Sequence, residues 1–154
     1  MNTRTRGLQA SDGQLPLSAP RWLTERAFRQ GDVPAVRRFA QAFGARTGIR
    51  PARLADFVLA VSEAAACATA VGPCTARVRL WMTGTRAFCE VRGNGLVLRR
   101  SARGGAYPDG RARADGRPGE EEAMRRWVLR QLSDHVSVAS GQDGVCVLLS
   151  MRVA

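Results

Sequence analysis

One stretch of the sequence places a carboxylate and a thiol at a spacing that a helix would bring together. The stretch VLAVSEAAACATAVG, from Val58 to Gly72, contains Glu63 and, four residues later, Cys67. Residues that are four apart lie on the same face of a helix. A carboxylate and a thiol interact only weakly with each other, so their shared face requires another explanation.

The cysteines do not have the spacing of a metal site. None of them lies in a C-x-x-C pair, and the only histidine is His135. A zinc site would have to be assembled from scattered single ligands, so we expect no metal. We expect instead reduced thiols that behave as small buried hydrophobic residues. The cysteines are Cys67, Cys74, Cys89 and Cys146.

The composition limits the class of protein. The chain has 154 residues, of which 45% are hydrophobic, a size that suits one domain with a buried core. All 24 basic residues are arginine, which excludes P-loop NTPases and Schiff-base enzymes because both need a lysine. The net charge of +11 favours acidic partners, whether protein or nucleic acid. No membrane-spanning run or secretory signal is recognisable, so we expect a cytoplasmic protein without membrane association.

The hydrophobic periodicity predicts an α+β fold. Strands are indicated by alternating patterns and helices by apolar residues three and four apart. The third predicted helix carries Met124, Trp127, Val128 and Leu132 along one face. The predicted architecture is a two-layer sandwich, with helices on one face of a mostly antiparallel sheet. The predicted segments are a flexible tail at 1–20 and a single domain at 21–154 with an edge strand at 21–28, helices at 32–48 and 51–71, strands at 75–82 and 86–92, a mobile loop at 98–119, a helix at 120–134 and strands at 135–140 and 145–153.

Five segments carry a resemblance to a known family. In chain order they are VPAVRRFAQAFGARTG, ADFVLAVSEA, CEVRGNG, VLRQLSDHV and GVCVLLSMRV. Together, from about Trp22 to Val153, they make the chain similar to the anti-sigma-factor serine/threonine kinases of the GHKL ATPase superfamily, which share their fold with histidine-kinase catalytic domains. The resemblance implies a Bergerat-type sandwich and a protein partner, such as a sigma factor or a STAS-type antagonist. By analogy it also implies a homodimer or heterodimer.

This resemblance explains the spacing of Glu63 and Cys67. In the family, the second helix carries a glutamate that orients or deprotonates the attacking serine hydroxyl and, four residues on, an asparagine that coordinates Mg²⁺. Glu63 falls on the glutamate and Cys67 falls on the asparagine. Mg²⁺ prefers oxygen ligands in near-octahedral geometry, and a thiol does not supply one. The resemblance therefore implies a helix that has lost its metal ligand, with Glu63 as a vestigial base.

Two further motifs of the family are altered in this chain. The family's D-x-G-x-G motif contacts adenine through its aspartate, and Gly93 takes the position of that aspartate. Asn94 and Gly95 follow, and Val97 replaces the last glycine. A glycine-rich motif normally cradles the phosphates at the start of a helix. Three glutamates stand there instead, where they repel an anion but also suit the helix dipole.

The three losses together favour a regulator without catalytic activity, since phosphoryl transfer depends on positioning and on metal electrostatics. We expect a pseudokinase-like protein that needs no cofactor and binds a sigma factor, an anti-sigma antagonist or a related kinase. The alternative is an active serine/threonine kinase that uses ATP and Mg²⁺ with altered ligands, and a weaker one is a basic nucleic-acid-binding protein. The loop at 98–119 falls where the family has its ATP lid, and is either a solvated remnant or an arm for an acidic partner.

The placement of the motifs also predicts how substitutions behave. If Cys67 and Gly93 line a vestigial nucleotide pocket, the changes Cys67→Asn and Gly93→Asp should leave the fold intact and recover weak binding of Mg²⁺ and nucleotide. This expectation depends on Gly93 lying at a strand end near the mouth of the pocket.

Overall fold

The described part of the chain contains five strands and three helices. The computed structural model describes residues 20–70, 75–94, 120–141 and 144–154. The elements are β1 (Arg21–Arg29), α1 (Val33–Thr47), α2 (Pro51–Ala68), β2 (Thr75–Thr83), β3 (Arg86–Asn94), α3 (Glu120–Leu132), β4 (His135–Gly141) and β5 (Gly144–Arg152). The strands form one sheet in the order β1-β2-β3-β5-β4, and each neighbouring pair is antiparallel.

The core lies between the helices and one face of the sheet. Alternate residues of each strand point to this face, as Val78 and Leu80 do from β2. α2 is the central helix and contacts β2, β3 and β5 as well as both other helices. Its small buried side chains allow its backbone to lie close to the sheet. The largest fully buried side chains include Phe43, Phe57, Leu80, Leu129, Leu149 and Met151.

The other face of the sheet carries aromatic and charged side chains. Trp81 and Phe88 lie opposite each other on β2 and β3, and their rings stack with centroids 5.2 Å apart. Glu90 of β3 is buried and accepts a hydrogen bond of 2.8 Å from Nε of Arg92. The two faces of the sheet therefore differ, one being apolar and the other polar and aromatic.

The predicted α+β sandwich and the order of its elements are confirmed. β1 is the first strand of the sheet, as predicted for an edge strand. α2 ends at Ala68 instead of residue 71, because the backbone of Thr69 leaves the helical region with a φ of −114°, while its N–H and hydroxyl both donate to the carbonyl of Ala65. None of the described helices is long and apolar enough to cross a membrane.

The prediction of the apolar face of α3 is wrong for Met124 and Trp127, whereas Leu132 packs against the core as predicted. Met124 and Trp127 are 60% and 56% exposed, whereas Leu129 is fully buried. α3 instead turns the guanidinium group of Arg125 toward Glu63 on α2. Hydrophobic periodicity treats charged residues as solvent-facing, and here two such side chains form part of the contact between the helices.

Candidate functional site

Glu63 lies on the side of α2 that contacts α3. Its side chain is half-buried, and its Oε2 lies 3.9 Å from Nε of Arg125. The same arginine donates through Nη2 to the carboxylate of Glu121, one turn earlier on α3, at 2.6 Å. Arg125 therefore lies between a carboxylate of its own helix and the carboxylate of α2.

Cys67 lies one turn after Glu63, and its thiol is in an unreactive environment. The residue is 3% exposed and lies near Glu122 and Arg126 of α3. Burial raises the pKa of the Cys67 thiol, and the negative charge of Glu122 raises it further; Arg126, which hydrogen-bonds the sulfur, opposes both effects more weakly. Arg126 also donates to Glu122 at 2.9 Å. A neutral, buried thiol is neither a Mg²⁺ ligand nor an effective nucleophile.

Gly93 is packed against the backbone of α2. It lies opposite Ala76 in the sheet and is buried. A Cβ atom at this position would lie 2.1 Å from the carbonyl oxygen of Ala68, the last residue of α2. The premise that Gly93 lies at the mouth of a pocket is therefore wrong, because Gly93 faces the helix, and we expect Gly93→Asp to disturb the fold.

The other predicted site positions follow Gly93 in the chain. Asn94 is the last residue of β3. Gly95 and Val97 lie outside the described residues, as do the predicted loop at 98–119 and all of the predicted tail except Pro20. The described part of the site is therefore formed by the C-terminal half of α2, the end of β3 and the first turns of α3.

The sequence interpretation missed the two arginines that lie across this region. Arg125 and Arg126 follow Glu121 and Glu122 at a spacing of four, which predicts ion pairs along a helix and is readable in the sequence. Nη1 of Arg125 and Nε of Arg126 are buried without a hydrogen-bond partner. Both guanidinium groups are thus partly withdrawn from solvent where α3 packs on α2.

The described residues do not fit a site for adenine nucleotide and Mg²⁺. A magnesium site offers oxygen ligands that are free to coordinate, and here the carboxylates of Glu63 and Glu122 face arginine side chains. No group of three or more His, Cys, Asp or Glu side chains that could hold a metal ion occurs within the described ranges. The space next to Gly93 is filled by the backbone of Ala68.

Comparison with protein-family models identifies a family that matches this chain. A family model described as "Histidine kinase-like ATPase domain" matches residues 27–151, which is most of the chain. The match begins within β1 and ends within β5, so it spans every element that contributes to the site. A comparison with curated proteins finds no match.

Proposed function

Because the chain belongs to the histidine kinase-like ATPase domain family, of the GHKL type, we propose that it is a regulatory protein that uses this scaffold to bind another protein and binds little or no ATP. Its partner is a protein of sigma-factor signalling, namely a sigma factor, a STAS-type anti-sigma antagonist or a related kinase, in the cytoplasm. The resemblance to anti-sigma-factor kinases supports this class of partner.

The packing of Gly93 against Ala68 is the observation that carries the proposal. In the kinases that the chain resembles, an aspartate at this position contacts adenine. A side chain at Gly93 would begin 2.1 Å from the carbonyl oxygen of Ala68, so α2 leaves no space for one. A substitution therefore cannot restore the adenine contact unless α2 moves away from the sheet.

The charges around Glu63 also oppose the binding of ATP. Glu63 and the three glutamates that begin α3 outnumber Arg125 and Arg126, so the cluster has a net charge of −2. Glu63 and Glu122 are half-buried, so their repulsion of a polyphosphate is screened less by salt than that of the exposed Glu120 and Glu121. Mg²⁺ would have to compete with an arginine for each paired carboxylate.

Isothermal titration calorimetry of the full chain with ATP, with and without Mg²⁺, tests the proposal. We expect no Mg²⁺-dependent binding at nucleotide concentrations up to about 1 mM, which corresponds to a binding free energy weaker than about −4 kcal/mol. Because the chain has a net charge of +11, inorganic tripolyphosphate at physiological ionic strength is the control for non-specific attraction of phosphate.

A micromolar dissociation constant for ATP that depends on Mg²⁺ and exceeds the affinity for tripolyphosphate would contradict the proposal. It would favour the alternative of an active serine/threonine kinase. The melting temperature gives a second readout, since a ligand that binds only the folded chain raises it by mass action.

A further inference from the structure

β1 presents an unpaired edge of the sheet. Within the described residues it pairs with β2 alone. An edge strand exposes backbone N–H and C=O groups with which another extended segment can pair. The side chains of β1 are mostly exposed, and Phe28 is its one buried residue.

The start of β1 exposes two large apolar side chains at an irregular backbone. Trp22 and Leu23 are each 58% exposed. Trp22 has a φ of 60°, in the left-handed region that bulky residues rarely adopt, and the register with β2 is interrupted between Arg21 and Thr24. A strained bulge that directs apolar side chains into solvent is costly for the isolated protein and provides anchors for a partner.

The edge is strongly basic. β1 and β2 together contain five arginines and one glutamate, a net charge of +4. The one glutamate, Glu25, accepts hydrogen bonds from Arg77 and Arg79 and is therefore already neutralised. The exposed arginines of β1 itself are Arg21, Arg26 and Arg29.

A second copy of the chain would bring together two edges that each carry a net charge of +4. If two β1 strands paired antiparallel about Glu25, Arg21 would lie opposite Arg29 and Glu25 would lie opposite itself. Like charges that lie directly opposite each other destabilise a pair of strands. Acidic side chains opposite the arginines would stabilise it instead.

We propose that β1 binds an acidic, extended segment of a partner protein as an additional strand of the sheet, with Trp22 and Leu23 as apolar anchors. This inference rests on the proposed function, because it gives the chemistry of the protein partner. The segment alternates acidic with small or apolar residues, since successive side chains of a strand face opposite sides of the sheet.

Fluorescence anisotropy with a labelled peptide tests the inference on the full chain. The probe is a capped nine-residue peptide that alternates glutamate with valine or threonine. The control peptide has the same side chains but carries N-methyl groups on its three central amides, so that neither of its edges can pair with a strand. We expect the unmethylated peptide to bind at least about tenfold more tightly, because strand addition depends on main-chain hydrogen bonds.

Two charge-matched variants identify the surface that binds. Arg21→Glu combined with Arg26→Glu places two negative charges on β1 and should weaken peptide binding by at least about tenfold. Arg50→Glu combined with Arg130→Glu changes the net charge by the same amount, at an exposed position just before α2 and another on α3, and should change the affinity less than about twofold. Circular dichroism and the melting temperature verify that both variants are folded.

Several results would overturn the inference. Equal binding of the two peptides would mean that attraction is electrostatic only, and an equal effect of the two double variants would mean that it is not located at β1. Absence of peptide binding by the parent chain would refute it. A parent chain that is dimeric and becomes monomeric in the Arg21→Glu/Arg26→Glu variant would also refute it, because β1 would then bind a second copy of the chain. If a single-stranded oligonucleotide of equal charge displaces the labelled peptide at a lower concentration than the unlabelled peptide does, a nucleic-acid partner is favoured instead.

The two proposals can fail separately. If the chain shows no Mg²⁺-dependent binding of ATP and no binding of the peptide, the strand-addition proposal is refuted, and the proposed loss of nucleotide binding still holds. Micromolar Mg²⁺-dependent ATP binding refutes the proposed function whether or not the peptide binds.

Discussion

The substitution Gly93→Ala tests the contact on which the proposed function depends. It adds a single methyl group 2.1 Å from the carbonyl oxygen of Ala68. Ordinary van der Waals contact requires 3.4 Å or more, so β3 and the end of α2 must separate by roughly 1.3 Å at this point. The last turn of α2 is held by the two hydrogen bonds that Thr69 donates to Ala65, so it cannot yield easily.

We expect Gly93→Ala to lower the free energy of unfolding by about 3 kcal/mol, at the upper end of the range for overpacking a core. This corresponds to a decrease in Tm of roughly 10 °C for a domain of this size. Gly93→Asp should be worse, because it adds a carboxylate at the same crowded position. Urea denaturation followed by circular dichroism measures the change through the midpoint at constant m-value.

Gly44→Ala is the matched control. A Cβ atom at Gly44 would also lie 2.1 Å from its nearest neighbour, but that neighbour is Cδ1 of Leu54, the far end of a side chain that can rotate. Alanine also favours the interior of α1 by up to about 1 kcal/mol, so this variant should stay within about 1 kcal/mol of the parent. If Gly93→Ala were as stable as Gly44→Ala, α2 would not close the space beside β3 and the reasoning would be refuted.

Two other predictions concern titratable side chains. The hydrogen bonds from Arg77 and Arg79 lower the pKa of Glu25 from its ordinary value of 4.5, so the stability that this carboxylate contributes is present above that pH and is lost as the pH falls through the lowered value. Glu25→Gln should therefore flatten the acid side of a stability curve measured by urea midpoints, and an unchanged slope would contradict the pairing. Burial raises the pKa values of Cys67, Cys89 and Cys146 alike, and Cys146 is the most exposed of these three. A thiol reagent should label Cys146 before the other two in the folded chain, as peptide mass spectrometry can check, and labelling of Cys67 at the same rate would contradict its position under α3.

The elements of the fold were predictable because each has a clear local pattern. Alternation in TARVRLWM and RAFCEVR predicted β2 and β3, and the Pro and Gly at the ends of the first helical segment predicted the bounds of α1. These signals depend on neighbours within a few residues, and tertiary contacts did not override them here.

The packing around the candidate site was not predictable in the same way. The resemblance places Gly93 at the position of an adenine-reading aspartate, but only the structure brings it against Ala68, 25 positions earlier in the chain. The side of α3 that packs was missed for a related reason. Arg125 and Arg126 are drawn toward Glu63 and Cys67, and a pattern of apolar residues contains no information about charged pairs between helices.

The pairing of β3 with β5 also has a consequence for how the chain folds. β3 ends at Asn94 and β5 begins at Gly144, so their pairing closes a loop of about 50 residues. β2 and β4, by contrast, each join their neighbour through a short connection. Two hairpins can therefore form locally, and bringing them together carries the larger entropic cost. A substitution that weakens the pairing of β3 with β5 should therefore lower the folding rate, because it slows the docking of the two hairpins, as well as the free energy of unfolding.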